Sequence, residues 1–216
     1  MSEITETINY REHEIQVCYD MNPESPRKWD NLGILAFFHK KYNCGDKVDF
    51  KSKDFNGWDE MEHHIRTKLN GVVILPVCMY DHSGQTIYIG TQHDRWDGGR
   101  VGFIYATRND VLKEYGAKKI TAEMKEKAKK LLEGEIDVMD DYIRGDVYGY
   151  KVLDAHGEEL DACWGYYGDD GKKQAIVEAQ NIIDHTISKK INYHLQVLKS
   201  WILNKVSINH RKPLSI

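Results

Sequence analysis

The sequence has few cysteines and few prolines, and its apolar residues never form a long continuous run. Among its 216 residues there are four cysteines and four prolines. The cysteines lie far apart and form no Cys-x-x-Cys pair, so their spacing indicates neither a zinc cluster nor a disulfide framework. The mean hydropathy of −0.62 and the lack of an apolar run of about 20 residues exclude a membrane-spanning helix.

Several motifs that carry targeting or chemistry are also missing. The first residues are polar and acidic, whereas a signal peptide has a basic start and an apolar centre. We therefore predict a cytoplasmic protein with reduced thiols and no membrane association. There is no Gly-x-Ser-x-Gly elbow and no phosphate-binding loop, so we predict no bound cofactor and no metal site.

The charges are unevenly distributed along the chain. The whole chain has a net charge of −4, but residues 172–216 contain eight basic and two acidic residues, a net of +6. Residues 1–171 contain 22 basic and 32 acidic residues, a net of −10. We predict an acidic body at 1–171 and a basic C-terminal helical extension at 172–216. An acidic body repels bare nucleic acid and favours basic protein surfaces, whereas an even spread of charge would serve solubility alone.

Hydrophobic periodicity predicts a fold of the α+β class. We expect a single domain with a mixed, mainly antiparallel sheet of about six strands, helices on one face and a long C-terminal helix. Pro76 lies inside the most apolar segment, which predicts an edge position or a bulge there. Predicted strands are at 15–19, 34–42, 72–80, 86–89 and 101–106, with a hairpin of 147–153 and 160–167; predicted helices are at 58–69, after Thr107, at 121–143 and at 170–204.

The C-terminal helix has one apolar stripe along its length, and its predicted extent of roughly 50 Å exceeds what a small domain needs for its own core. From Ile191 to Ile202 the apolar spacing is four, three and four, which is typical of a coiled-coil seam, over less than two heptads. Two interpretations stay open: the helix lies across its own sheet, or two copies form a homodimer through it. The predicted oligomerisation residues are Ile187, Ile191, Leu195, Leu198 and Ile202.

Four turns combine Trp or Tyr with Asp, Asn and Gly, at 29–33, 42–46, 96–99 and 163–171. Glycine permits positive φ or a close approach, Asp supplies acceptors and charge, and Trp or Tyr supplies contact area with a polar tip. We interpret these turns as one recognition surface. The predicted partner-binding residues are Trp29, Asp30, Trp96, Asp97, Trp164, Tyr166, Tyr167, Asp169 and Asp170.

Two alternatives use the same turns for other chemistry. The aromatic rings could form a pocket that stacks a small nucleotide, which would make the protein a nucleotide-signal sponge. A metal-dependent phosphodiester hydrolase would instead collect imidazole and carboxylate ligands around a divalent ion. The candidate hydrolase residues are His93, Asp94, Asp97, Asp169 and Asp170. These residues could also serve only as helix caps and turn formers, a role that needs no ligand.

Several segments together resemble a family of small uncharacterised proteins of bacteriophages and mobile elements. They include Ser25–Gly33, His39–Asp46, Trp96–Tyr105 and Tyr142–Tyr150, together with shorter matches at 81–84 and 113–116. The resemblance spans roughly residues 10–185, so the basic end of the C-terminal helix is additional. It implies a phage or mobile-element setting in a bacterial host and brings no activity, cofactor or catalytic residue.

In such a setting, small proteins without an evident active site often bind and disable a host defence component, which is an argument by association. We therefore predict a binding protein rather than an enzyme. Its acidic, aromatic surface would bind a basic surface of a host defence protein, such as a CRISPR or restriction effector, in the bacterial cytoplasm.

Overall fold

A computed structural model describes residues 3–81, 84–90 and 98–205. These residues form eight strands and four α-helices, and the strands belong to two antiparallel sheets of four. Nowhere in the described ranges does a helix combine the length and the apolar composition that crossing a bilayer requires. In chain order the elements are β1 (Ile4–Tyr10), β2 (His13–Tyr19), β3 (Ile34–Phe37), α1 (Trp58–Thr67), β4 (Gly71–Asp81), β5 (Gln85–Ile89), β6 (Gly98–Thr107), α2 (Arg108–Glu114), α3 (Ala122–Arg144), β7 (Val147–Leu153), β8 (Glu159–Tyr167) and α4 (Gly168–Lys205).

The chain forms two compact units. Unit 1 takes its described residues from 1–19, 148–166 and 171–216, and unit 2 takes them from 20–147 and 167–170. Each unit therefore combines segments that are distant in sequence. The predicted division into a body at 1–171 and an extension at 172–216 stays a prediction.

Unit 1 contains the first sheet, named sheet A, with the strand order β1-β2-β7-β8. Arg11 and Glu12 connect β1 to β2, with φ angles of 48° and 64°. Positive φ at both central residues gives this two-residue turn a twist that matches its flanking strands. Ile15 of β2 pairs with Val152 of β7, and the register is regular over the pairing of these two strands.

One face of sheet A packs against the first half of α4. Ala175, Ala179 and Ile183 of the helix are buried with Ile15 and Val17 of β2 in one apolar cluster. A fully buried Val or Ile side chain contributes about 1.5–3 kcal/mol relative to an exposed one. This contact therefore holds the first half of α4 on the sheet.

Unit 2 contains the second sheet, named sheet B, with the strand order β3-β6-β4-β5. Phe103 of β6 pairs with Ala36 of β3. A side chain at the neighbouring Gly102 would collide with the carbonyl oxygen of Ala36, so the close approach of these strands requires glycine at position 102.

Helices cover both faces of sheet B, because alternate residues of each strand point to opposite faces. Leu35 of β3 belongs to the apolar cluster that contains Leu132 of α3. The next residue, Ala36, belongs to the cluster that contains Met61 and Ile65 of α1. Sheet B therefore has helices on both faces, where we expected helices on one face only.

The boundaries of α3 follow from its capping residues. The Thr121 hydroxyl accepts a hydrogen bond from the backbone N–H of Met124 at 3.2 Å, which satisfies a free amide at the helix start. Gly145, with φ at 77°, ends the helix in the left-handed conformation that glycine tolerates best. The helix continues through Gly134 without interruption.

The structure confirms the α+β class, the long C-terminal helix and the hairpin of β7 and β8. The strands number eight in two sheets, where we expected about six in one. β1 escaped prediction because its residues are mostly polar and exposed. Pro76 lies just before the β4–β5 pairing starts, and the register of β4 against β6 shifts between Val77 and Cys78, as expected for a bulge.

Candidate functional site

Two of the predicted partner-binding residues, Trp29 and Tyr167, contact each other in unit 2. Their ring centroids lie 5.0 Å apart with an interplanar angle of 90°, which is an edge-to-face arrangement. Trp29 is 44% exposed. The Tyr167 hydroxyl donates a hydrogen bond to the backbone carbonyl of Glu24. The two rings are thus held by contact with each other and by the hydrogen bond to Glu24, and Trp29 still presents apolar area to solvent.

Two carboxylates lie near Tyr167, those of Asp20 and Glu24, and Asp30 follows Trp29 in the sequence. Glu24 and Asp30 are exposed and Asp20 is half-buried. Burial raises the pKa of Tyr167, and the negative charges of Asp20 and Glu24 raise that pKa further. Lys28, which is exposed, is the basic neighbour of Trp29 in the sequence. We name this group of residues the acidic aromatic patch; its members are Asp20, Glu24, Trp29, Asp30 and Tyr167.

Arg27 fixes the loop that carries Trp29. Its side chain is 8% exposed, and its guanidinium pairs with Asp46 at 2.6 Å and with Glu135 of α3 at 2.9 Å. Glu135 also accepts hydrogen bonds from the backbone N–H groups of Leu32 and Gly33, both at 2.9 Å. Charge-assisted bonds of this kind are stronger than neutral ones. The loop is therefore tied at several points to α3.

The charge state of Arg27 follows from the same contacts. Burial disfavours the charged guanidinium, but hydrogen bonds to Asp46 and Glu135 and the charges of both carboxylates outweigh burial and raise the pKa of Arg27. The ion pairs are therefore permanent at any pH at which the two carboxylates are ionised.

Tyr167 is positioned by the residue that follows it. Gly168 has a φ of 69°, and its backbone N–H donates to the carbonyl of Asp146 at 2.8 Å. A side chain at position 168 would collide with the carboxylate of Asp141, so glycine is needed there for both conformation and space. Arg144 pairs with Asp141 and Asp146, both at 2.9 Å, and offsets part of the negative charge of these two carboxylates.

Two further predicted residues, Trp164 and Tyr166, belong to unit 1. Tyr166 is 8% exposed, and its hydroxyl donates to Glu178 of α4 at 2.6 Å. Burial and hydrogen bonds with Cys163 and Glu178 raise its pKa. Tyr166 is therefore a core residue of unit 1 and not a surface anchor. Trp164 is 38% exposed, and its ring lies against Gly149 of the neighbouring strand.

The remaining predicted residues divide between α4 and segments outside the described residues. Asp169 and Asp170 are exposed in the first turn of α4, where acidic residues interact favourably with the helix dipole. Trp96 and Asp97, like His93 and Asp94 of the hydrolase alternative, lie outside the described residues. Within the described ranges, no group of three or more His, Cys, Asp or Glu side chains is arranged to hold a metal ion.

The predicted oligomerisation residues lie on α4. Ile187 is half-buried and packs against the core of unit 1. Ile191, Leu195 and Leu198 are 53%, 49% and 52% exposed, and Ile202 is half-buried. The apolar stripe that packs on sheet A therefore continues beyond it.

Unit 2 also contains a cavity of about 660 Å³ that the sequence did not predict. Three rings of its lining, those of Phe50, Phe55 and His64, contact one another with centroids 5.2–5.7 Å apart. Tyr105 of β6 also lines it, and burial together with the charges of nearby carboxylates raises the pKa of this tyrosine to about 12. Lys47, Asp49 and Asp54 supply charged groups, and Ile34, Val48 and Leu69 complete the lining.

Sequence reasoning missed the ion pairs of Arg27 and the cavity for the same reason. Asp46 and Glu135 lie 19 and 108 positions from Arg27, so no local spacing links the three residues. The cavity likewise draws its lining from β3, β6, α1 and the connection between β3 and α1.

No protein-family model, curated protein or solved structure matches this chain. A function for this chain is therefore inferred from the geometry of the described residues.

Proposed function

We propose that this protein binds a basic surface of a partner protein through the acidic aromatic patch. The observation that carries the proposal is the edge-to-face contact of the exposed Trp29 with the half-buried Tyr167, close to the carboxylates of Asp20 and Glu24. Asp30, next to Trp29 in the sequence, is a third exposed carboxylate of the patch. Trp and Tyr are enriched among the residues that dominate binding energy at protein interfaces.

The rigidity of the patch supports this role. Trp29 is held by its edge-to-face contact with Tyr167, and the loop that carries it is tied to α3 through Arg27 and Glu135. Side chains that are ordered before binding lose little conformational entropy when a partner covers them. A preformed aromatic pair can therefore give affinity from a small area.

The charge of the chain supports a basic partner. Residues 1–171 have a net charge of −10, and three members of the patch are acidic. Complementary charge accelerates encounter and weakens as salt screens it, with a Debye length of about 8 Å at 0.15 M ionic strength. We therefore expect association with the partner to slow as salt rises.

The resemblance to phage and mobile-element proteins supports a bacterial host as the setting and a defence protein as the partner. CRISPR and restriction effectors bind nucleic acid through basic grooves that pair with phosphates. A surface of carboxylates around two rings offers such a groove negative charge in place of phosphate. The protein would then antagonise the defence system by occupying the groove.

The test uses bacterial strains that each carry one CRISPR or restriction system and are challenged with a phage which that system blocks. Expression of the protein should restore plaque formation against at least one system. Trp29→Ala should weaken binding to the purified effector of that system about 30-fold, which corresponds to the roughly 2 kcal/mol of an interface hot spot.

A matched pair of charge reversals separates the patch from overall charge. Asp30→Lys removes a patch carboxylate, and Glu126→Lys removes an exposed carboxylate from α3 with the same change in net charge. We expect the first variant to lose protection of the phage and the second to keep it. Equal behaviour of the two variants, or failure against every system, would contradict the proposal.

The cavity favours a second candidate function, the binding of a small nucleotide. Its ring lining from Phe50, Phe55 and His64 suits base stacking, which contributes about 1–3 kcal/mol per base, and Lys47 is a cation that can meet a phosphate. A volume of about 660 Å³ lies within the usual range for sites of small ligands. In this function the protein would sequester a nucleotide signal.

Native mass spectrometry with cyclic nucleotides and ADP-ribose tests this candidate. A bound mass should appear for one compound, and Lys47→Gln should weaken its binding, whereas Lys53→Gln changes an exposed lysine that does not line the cavity. No bound mass across the set would end this candidate. The hydrolase alternative stays a prediction, because His93, Asp94 and Asp97 lie outside the described residues.

A further inference from the structure

The second half of α4 exposes large apolar side chains along its whole length. Residues 188–205 extend roughly 27 Å at 1.5 Å per residue. None of these residues belongs to an apolar cluster of the described chain, whereas Ile187, immediately before them, packs on the core of unit 1. Those at least 49% exposed include Ile191, Tyr193, Leu195, Val197, Leu198 and Trp201.

This exposed segment continues an anchored helix. Ala175, Ala179 and Ile183 of the same helix are buried against sheet A. An isolated helix of this length is marginal in water, because the first turn is costly to form. The packed half of α4 supplies that first turn, so the exposed half can associate without first having to nucleate a helix.

Three of these exposed residues, Ile191, Leu195 and Leu198, have the spacing of a helix that pairs with another helix of the same kind. Ile191 and Leu198 occupy d positions of a heptad, and Leu195 and Ile202 occupy a positions. Lys205 stands at the next d position and ends this seam. The residues at a and d are thus all Ile or Leu over the length of the seam.

The exposed area of the seam suits a weak pair of helices. Ile191, Leu195 and Leu198 are about half exposed and Ile202 is half-buried; with Trp201 at the flanking g position they offer on the order of 400 Å² per copy, and two copies offer on the order of 800 Å². Tyr193 and Val197, at f and c positions, face away from the seam and are not counted. That total is below what stable and specific interfaces bury and is typical of a transient one, so the expected association is weak.

The lysines of the segment repel those of a second copy and weaken the pairing, but they do not lie on the apolar seam between Ile191 and Ile202. Lys189 and Lys190 occupy b and c positions, which face away from it, and Lys199 at e is the charged residue beside it. No acidic residue lies between 188 and 205. Repulsion between lysines of two copies is screened by salt, whereas the apolar contact is not.

From these observations we infer that residues 188–205 of α4 bind the same segment of a second copy of this chain, through the seam of Ile191, Leu195, Leu198 and Ile202. The interface is separate from the acidic aromatic patch, which lies in unit 2. Two copies joined in this way carry two patches, and a partner with two basic sites would bind them with higher avidity.

Light scattering after gel filtration of the full chain tests the inference at about 100 µM protein, a high concentration that suits an interface of small area. The expected mass is twice the 25.1 kDa of one chain, and the association should strengthen as salt rises. Leu195→Glu should return the mass to that of one chain. Gln196→Glu, an adjacent b position that gains the same charge, should leave the dimer intact.

Three results would overturn the inference. They are a single-chain mass for the unmodified protein, a dimer that persists in Leu195→Glu, and a single-chain protein that binds vesicles of phosphatidylserine and phosphatidylcholine through this segment. Circular dichroism of Leu195→Glu should show an unchanged fold, because this residue packs on neither unit core. Loss of the dimer therefore cannot be attributed to unfolding.

Discussion

The Arg27 guanidinium donates to the carboxylate of Glu135 at 2.9 Å, across 108 positions of the chain. The same guanidinium holds Asp46, and Glu135 holds the backbone of Leu32 and Gly33. These bonds connect the loop before β3 with α3, and the loop presents Trp29 to solvent. The stability of unit 2 and the shape of the acidic aromatic patch therefore depend on one buried arginine.

Replacing Arg27 should destabilise the protein strongly. Arg27→Ala leaves the carboxylates of Asp46 and Glu135 poorly solvated and unpaired, so we expect the free energy of unfolding to fall by about 3–5 kcal/mol. Urea unfolding measures the loss. Arg27→Lys keeps the charge but cannot bridge both carboxylates with a fork of donors, so its loss should be smaller. A loss below about 1 kcal/mol for Arg27→Ala, the level of an exposed ion pair, would contradict this account.

Two glycines of α3 should respond to alanine in opposite directions. Gly134 is exposed inside the helix with nothing near its missing side chain, so Gly134→Ala should stabilise the protein by about 1 kcal/mol. Gly145 has a φ of 77°, and Gly145→Ala should destabilise it by a similar amount. Thermal unfolding of both variants provides the comparison, and a shift of both in the same direction would show that the end of α3 is assigned incorrectly.

Two glycines of β6 offer a second matched pair. Gly102→Ala should cost about 3 kcal/mol, because the new methyl group would collide with the carbonyl oxygen of Ala36 and push β3 from β6. Gly99 has open space around its missing side chain, so Gly99→Ala should change stability by less than about 0.5 kcal/mol. Similar urea midpoints for the two variants would argue against the pairing of β3 with β6.

The stability of the protein should depend on Tyr105 at high pH. Its pKa is raised to about 12, first by burial and then by the charges of Asp110, Asp46 and Asp49. Between pH 10 and 12 the unfolded chain loses this proton while the folded chain keeps it, so the free energy of unfolding falls as pH rises through this range. The contribution of Tyr105 is about 2–3 kcal/mol, and it is fully present below pH 10.

Tyr105→Phe removes that contribution. Urea unfolding from pH 9 to 12 should show a shallower decline for the variant than for the unmodified protein. Parallel declines would mean that the hydroxyl of Tyr105 is open to water. The same variant keeps the ring that lines the cavity, so it also separates the hydroxyl from stacking if a nucleotide binds there.

Local patterns of the sequence determined the separate elements well. The spacing of Met61 and Ile65 predicted α1, hydrophobic periodicity predicted α3 at 121–143, and the turn at 154–157 predicted the hairpin of β7 and β8. These signals are local because helices and hairpins join residues that are close in sequence. β1 was not predicted because none of its residues is buried.

The tertiary structure alone decided how the strands divide into two sheets and which candidate residues meet. β7 pairs with β2 across most of the chain, and Tyr167 reaches Glu24 across 143 positions. Composition predicted that Trp29, Tyr166 and Tyr167 would act together, yet Tyr166 turned inward to Glu178. Packing against distant segments decides which residue of an aromatic turn faces solvent. Such contacts join residues far apart in the chain, so the periodicity of the sequence does not predict them.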